Sequence, residues 1–185
     1  FDYTKLNQFA DEVDDSSEDF SCIRDNVTGL VWEVKSPSSG TLPNTTLRDA
    51  QNSYYWDIGD TTTDADSTAN TTCPNDTSCG LQTYINEVNA IDFCGGTNWR
   101  VPTYTELLGL IDYGKQGQSV LIDLAFFPNM PEAGAIDNVN LPYWTSQTAA
   151  DGTSLSQAYI IDMSNGNDLA YPKENNAYVR LVRSR

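Results

Sequence analysis

Apolar residues recur along this chain with two different periods, and the change of period divides it. In Leu30-Val31-Trp32-Glu33-Val34-Lys35 the period is two, which sets Leu30, Trp32 and Val34 on one face of a strand. A shorter strand over residues 20–24 precedes it, joined by the turn Asp25-Asn26-Val27-Thr28-Gly29. Helical spacing takes over in residues 81–93, where Leu81, Ile85, Val88 and Ile91 share a face and Gly95-Gly96 closes the segment. Thr103 followed by Glu106 is a capping-box pattern ahead of Leu107, Leu108, Leu110 and Ile111. Because Pro102 disfavours helix before it, a second helix is predicted from about residue 104 to about 113. Strands are predicted at 143–146, 158–163 and 177–182, with a turn at Ser164-Asn165-Gly166-Asn167-Asp168. Helices followed by hairpin strands, without β-α-β alternation, indicate an α+β fold.

Between these elements, residues 36–79 concentrate Ser, Thr, Asp, Asn and Gly and read as a surface insertion, docked by Tyr54-Tyr55-Trp56. Residues 1–19 are acidic and weakly patterned, a loose lead-in to a single domain over 20–185. The size of 185 residues suits one domain with a real core.

Composition narrows the function. Ten basic and 26 acidic residues leave a formal charge of −16, opposed to nucleic acid and to anionic lipid surfaces. There is no histidine, which removes Ser-His-Asp and Cys-His nucleophiles and the commonest metal ligand. No apolar run approaches the ~20 residues of a transmembrane helix. Because Phe1 is not an initiator Met, the chain reads as a mature or trimmed segment of an exported protein.

The four cysteines form no Cys-x-x-Cys pair, so two disulfides in an oxidising compartment are expected. Cys73 and Cys79 flank the turn-forming spacer Pro-Asn-Asp-Thr-Ser, which favours their closing on each other. Cys22 then pairs with Cys94, tying an early strand to the end of a helix.

Five blocks in order carry a family resemblance. They are Arg24-Asp25-Asn26-Val27-Thr28-Gly29-Leu30-Val31-Trp32-Glu33, Trp99-Arg100-Val101-Pro102-Thr103 with Glu106-Leu107, Phe126-Phe127-Pro128-Asn129, Tyr143-Trp144-Thr145-Ser146, and Tyr178-Val179-Arg180-Leu181-Val182-Arg183. The chain resembles the C-terminal domain family of a bacterial collagen-like adhesin, the Lcl C-terminal domain. That resemblance implies a C-type-lectin-like fold: two helices packed on a small, mostly antiparallel sheet, with long loops and the terminal strands brought together. It also implies a secreted or surface-anchored protein serving cell adhesion or ligand binding. The adhesin that names the family looks like a trimer that binds sulfated polysaccharides. A polyanion needs clustered Lys and Arg, and a charge of −16 opposes that ligand here.

The expected activity is a non-catalytic extracellular module that recognises a glycan or a partner protein. The alternative is a structural subunit of a surface oligomer, pilus or filament whose main contacts are with its own copies. Ligand contacts are expected in the C-terminal half, at Gln147, Asp162, Asn165, Asn167, Asp168, Tyr171, Lys173, Asn175 and Asn176, short polar groups around a few aromatics. Trp32, Trp99 and Trp144 are expected in the core, whereas Tyr54, Tyr55 and Trp56 are weighed as further ligand contacts. Arg100 and Arg180 are expected to fork onto Asp25, Glu33 or Glu106, which makes Glu33 and Glu106 architectural and no catalytic residue is assigned. No cofactor is expected. The tract from Asp60 to Asp66 is dense in oxygen ligands for Ca2+ but lacks the Gly and Glu of an EF-hand loop. The sequons at Asn26, Asn44, Asn70 and Asn75 are taken as marks of surface exposure.

Overall fold

Strand pairing places both ends of the chain in one sheet. The computed structural model describes residues 1–38, 46–58, 79–131, 139–149 and 155–185. In chain order its elements are β1 (Tyr3–Leu6), β2 (Cys22–Asp25), β3 (Val31–Glu33), β4 (Tyr54–Tyr55), α1 (Leu81–Ala90) and α2 (Tyr104–Leu108). They continue with β5 (Pro142–Thr148), β6 (Gln157–Asp162), β7 (Asp168–Pro172), β8 (Asn176–Ala177) and β9 (Val182–Arg183). Among the described residues the strands form three antiparallel sheets, ordered β1-β2-β3-β9, β4-β8 and β5-β6-β7. The architecture is α+β.

The first sheet sets Trp32 and Val34 in one core cluster with Leu30 packed against it, as the alternation predicts, and has apolar residues on its other face as well. Ile23, Trp32 and Val182 lie in register and join Tyr3, Val34, Leu107, Phe127 and Ile161 in one core cluster. Leu6, Cys22 and Val31 point the other way, into a second cluster with Tyr84, Val88, Trp99, Trp144 and Leu181. Trp32, Trp99 and Trp144 are buried, as expected. The connection between β2 and β3 turns on the Asp25 carboxylate, which accepts from the amides of Val27 (2.9 Å) and Thr28 (3.3 Å) and from the Thr28 hydroxyl (2.7 Å). Gly29 follows at φ +75°, a conformation that glycine adopts without the steric cost other residues meet.

Several elements depart from the sequence-based expectation. Residues 1–19 are not a loose lead-in throughout, because β1 pairs with β2 along its whole length. The polar look of that segment is misleading at Lys5, which is buried while its ammonium donates to the carbonyls of Asp15 (2.7 Å) and Ser17 (2.9 Å). Helix α1 ends at Ala90 and leaves Ile91 exposed, since Asp92 and Cys94 adopt left-handed backbone at φ 51° and 48°. That reversal carries Cys94 to Cys22 and forms the expected disulfide, with Cα atoms 6.6 Å apart. Helix α2 is also shorter than expected. After Leu108 the amides of Leu110 and Ile111 bond three residues back, and the tightened turn buries both side chains.

Cys73, the calcium candidate Asp60 to Asp66, and the sequons at Asn44, Asn70 and Asn75 lie outside the described residues. So does the Cys73–Cys79 pairing; no cysteine among the described residues is free. Asn26 is exposed, as expected of its sequon, and its amide donates to Asp2 Oδ1 (2.8 Å) and the Thr4 hydroxyl (3.0 Å).

Candidate functional site

The face formed by β5, β6 and the start of α2 carries a shallow groove lined by aromatic and polar side chains. Thr103 opens α2 through the capping box the sequence predicts. Its hydroxyl accepts from the Glu106 amide (3.3 Å), and its own amide donates to Glu106 Oε2 (2.7 Å). Arg100 clamps the same carboxylate with two guanidinium bonds of 2.7 and 2.8 Å. This is the expected fork, though half-exposed rather than buried. The Arg100 bonds, followed by those of Thr103, hold the Glu106 carboxyl down at about 2. A carboxylate depressed in the folded state contributes stability above its unfolded pKa, and that contribution disappears as pH falls toward the folded value. The stability Glu106 contributes should therefore fade between about pH 4.5 and 2. Comparing urea midpoints of wild type and Glu106→Gln across that range checks this, and the difference between them should shrink as acid is added.

The clamp fixes Tyr104 over the sheet. Its amide donates to Gln147 Oε1 (2.8 Å), and its ring meets the Tyr159 ring edge-on at 5.9 Å and 75°. Burial, then the charge of Asp168, raises the Tyr104 hydroxyl above its ordinary pKa. Tyr104, Ser146, Gln147, Thr148, Tyr159 and Asp168 line a shallow groove of about 610 Å³. Ser146 also lines an adjoining recess of about 320 Å³, whose walls are Ile58, Ile85, Val101, Gln82, Thr103 and Arg100. The two hollows therefore meet at one strand position.

The expected ligand residues divide sharply. Gln147 and Asp168 come together in the groove. Asp162 is buried and caps the hairpin, accepting from the Ser164 amide (2.9 Å), the Ser164 hydroxyl (2.7 Å) and Asn165 Nδ2 (2.9 Å). Asn165 and Asn167 are exposed on that turn, where Asn165 Oδ1 accepts from the Asn167 amide (2.8 Å). Tyr171 is a core residue against Trp144, with ring centroids 5.6 Å apart. Lys173 is buried with its ammonium 4.0 Å from the Trp56 ring centroid. Asn175 belongs to the turn after β7, and Asn176 pairs with Tyr55. Tyr54, Tyr55 and Trp56 are likewise buried, and the Trp56 indole donates to the Thr145 carbonyl (2.8 Å). Sequence reasoning missed Tyr104, Tyr159, Ser146 and Thr148. The one available signal was Tyr159, an aromatic facing opposite to Ala158 and Ile160 on its strand.

Away from the groove, Glu33 anchors a buried polar cluster. It is sealed from solvent, 3.2 Å from Lys35, hydrogen-bonded by the Tyr84 hydroxyl, and accepts from the Leu181 amide (3.0 Å). Burial, opposed by the neighbouring Glu33 charge, lowers the Lys35 ammonium to about 8. Arg180 does not fork onto a carboxylate as expected. It donates to the Glu33 backbone carbonyl (2.8 Å) and lies over Phe127, in the segment between β8 and β9.

Fold and site together define a disulfide-braced α+β domain whose charged motif residues brace the body beside a small aromatic groove. The Lcl C-terminal domain family matches residues 21–183, nearly the whole chain, and the protein belongs to that family. No curated protein matches the chain. Among the described residues no helix is long and apolar enough to cross a membrane, and the buried disulfide fits an oxidising compartment.

Proposed function

We propose that this protein is a non-catalytic extracellular binding module of the adhesin type, and that it recognises a glycan through the groove between Tyr104 and Tyr159. The observation carrying this reading is the pairing of two half-buried tyrosine rings with the polar groups of Gln147, Ser146, Thr148 and Asp168 on one face. Aromatic faces pack on the C–H surfaces of a pyranose while short polar groups bond its hydroxyls. Against an enzyme, Glu33 is sealed in the core and Glu106 is spent on Arg100 and the helix cap. The chain ends sharing one sheet, two short helices and antiparallel sheets support a C-type-lectin-like fold. Neither a metal nor a cofactor enters this account.

A glycan array with wild type and Tyr159→Ala, each with and without calcium, tests it. Wild type should give hits that Tyr159→Ala loses, equally in both conditions. Hits that survive in the variant would remove the groove from the account.

One feature favours self-association as a second reading. Strand β7 is a sheet edge with Leu169 about half exposed, whereas the β1 edge is covered by a bridge from Leu6 to Glu12. Under that reading, mass measurement in solution gives an assembly and the array stays blank.

A further inference from the structure

We propose that the groove prefers a saccharide carrying a free ammonium group, a de-N-acetylated hexosamine, with Asp168 as its counter-charge. This rests on the glycan reading of the same groove and names the class of sugar. Among the described lining residues only Asp168 bears a charge, and it is exposed. Among the described residues of the adjoining recess the cation is Arg100, whose guanidinium is already forked onto Glu106 at 2.7 and 2.8 Å. A sulfate or carboxylate would have to displace that carboxylate, from a cap that also holds Thr103, and do so against an overall charge of −16.

An ammonium meets the opposite situation. The carboxylate of Asp168 stands beside the Tyr104 hydroxyl, and the two rings, set edge to face at 5.9 Å, present a π-surface at the same mouth. A cation over a tyrosine face is attracted by the ring quadrupole, and the exposed carboxylate adds a modest, solvent-screened ion pair. N-acetylation of the sugar removes the charge and both attractions while leaving the ring stacking intact. The expected discrimination is about tenfold, the sum of one exposed ion pair and one modest cation–π contact.

The test is calorimetric titration of a β-1,4-linked glucosamine tetramer, its N-acetylated counterpart, a heparin fragment and tetralysine into wild type, Asp168→Asn and Tyr159→Ala. A protein of charge −16 attracts any polycation, so Asp168→Asn is the decisive variant: it changes the overall charge by one unit only. Melting temperatures close to wild type show that both variants are folded. The glucosamine tetramer should bind wild type about tenfold tighter than the acetylated one. Asp168→Asn should cut that preference to about threefold, the part left by the cation–π contact, Tyr159→Ala should weaken both, and heparin should not bind. Equal affinity of the two tetramers for wild type, or a tenfold preference undiminished in Asp168→Asn, overturns the inference while leaving the glycan reading intact. Tetralysine binding as tightly as the glucosamine tetramer overturns it as well, making the groove a general cation site. If neither tetramer binds, the ammonium class fails, and an array without hits lost in Tyr159→Ala then takes the glycan reading down too.

Discussion

Replacing Glu33 by alanine should lower the unfolding free energy by about 3–5 kcal/mol, the usual cost of removing one partner of a buried ion pair. Glu33 is fully buried and faces Lys35, the Tyr84 hydroxyl and the Leu181 amide. Its loss leaves the Lys35 ammonium in the core with Tyr84 alone, and strands a backbone donor. Against total stabilities of roughly 5–15 kcal/mol, that loss is at least about a fifth of the whole. Combining Glu33→Ala with Lys35→Met should recover part of the loss, because the double variant buries no unpaired charge. Urea denaturation of the single and double variants checks both statements. A single variant within about 1 kcal/mol of wild type would mean that water or another acceptor satisfies the Lys35 ammonium, and would contradict the assigned role of Glu33.

The second large effect is expected at Cys22–Cys94, which closes a loop with a sequence separation of 72. On the chain-entropy account a crosslink of that span restricts the unfolded ensemble by roughly 4 kcal/mol. The double variant Cys22→Ala/Cys94→Ala is the right comparison, since reductant would also reach any other disulfide. Its urea midpoint should fall while the slope rises, because the unfolded chain is freer and exposes more surface. An unchanged midpoint would mean that the packed sheet alone holds β2 against the turn at Cys94.

Some of this organisation was legible from residues alone because its causes are local. The capping box at Thr103 and Glu106 involves groups three residues apart, and the Asp25 turn is complete within five residues. The Leu30, Trp32 and Val34 alternation gave the face of β3 correctly. What could not be read is what distant chain supplies. Lys5 looks like a polar position until the carbonyls of Asp15 and Ser17 close over it, so β1 was hidden. Trp56 sat in a polar insertion and looked free, but its indole reaches Thr145, 89 residues away. Lys173, Tyr171 and Asp162 looked like a binding surface for the same reason. Their polar atoms or ring faces are taken up inside the molecule by partners that the local sequence does not reveal. The groove itself depends on α2 docking across β5 and β6, which sets Tyr104 beside Tyr159, 55 positions apart in sequence. Only Gln147 and Asp168 of the expected set could anticipate it.

The account stands on the groove being the recognition surface, and amide chemical-shift mapping during titration with an array-positive saccharide addresses that directly. It predicts perturbations clustered on Tyr104, Ser146, Gln147, Thr148, Tyr159 and Asp168, with the hairpin turn around Asn165 and the β4–β8 pair unmoved. Shifts concentrated at either of those two places, with the tyrosine pair silent, would contradict it.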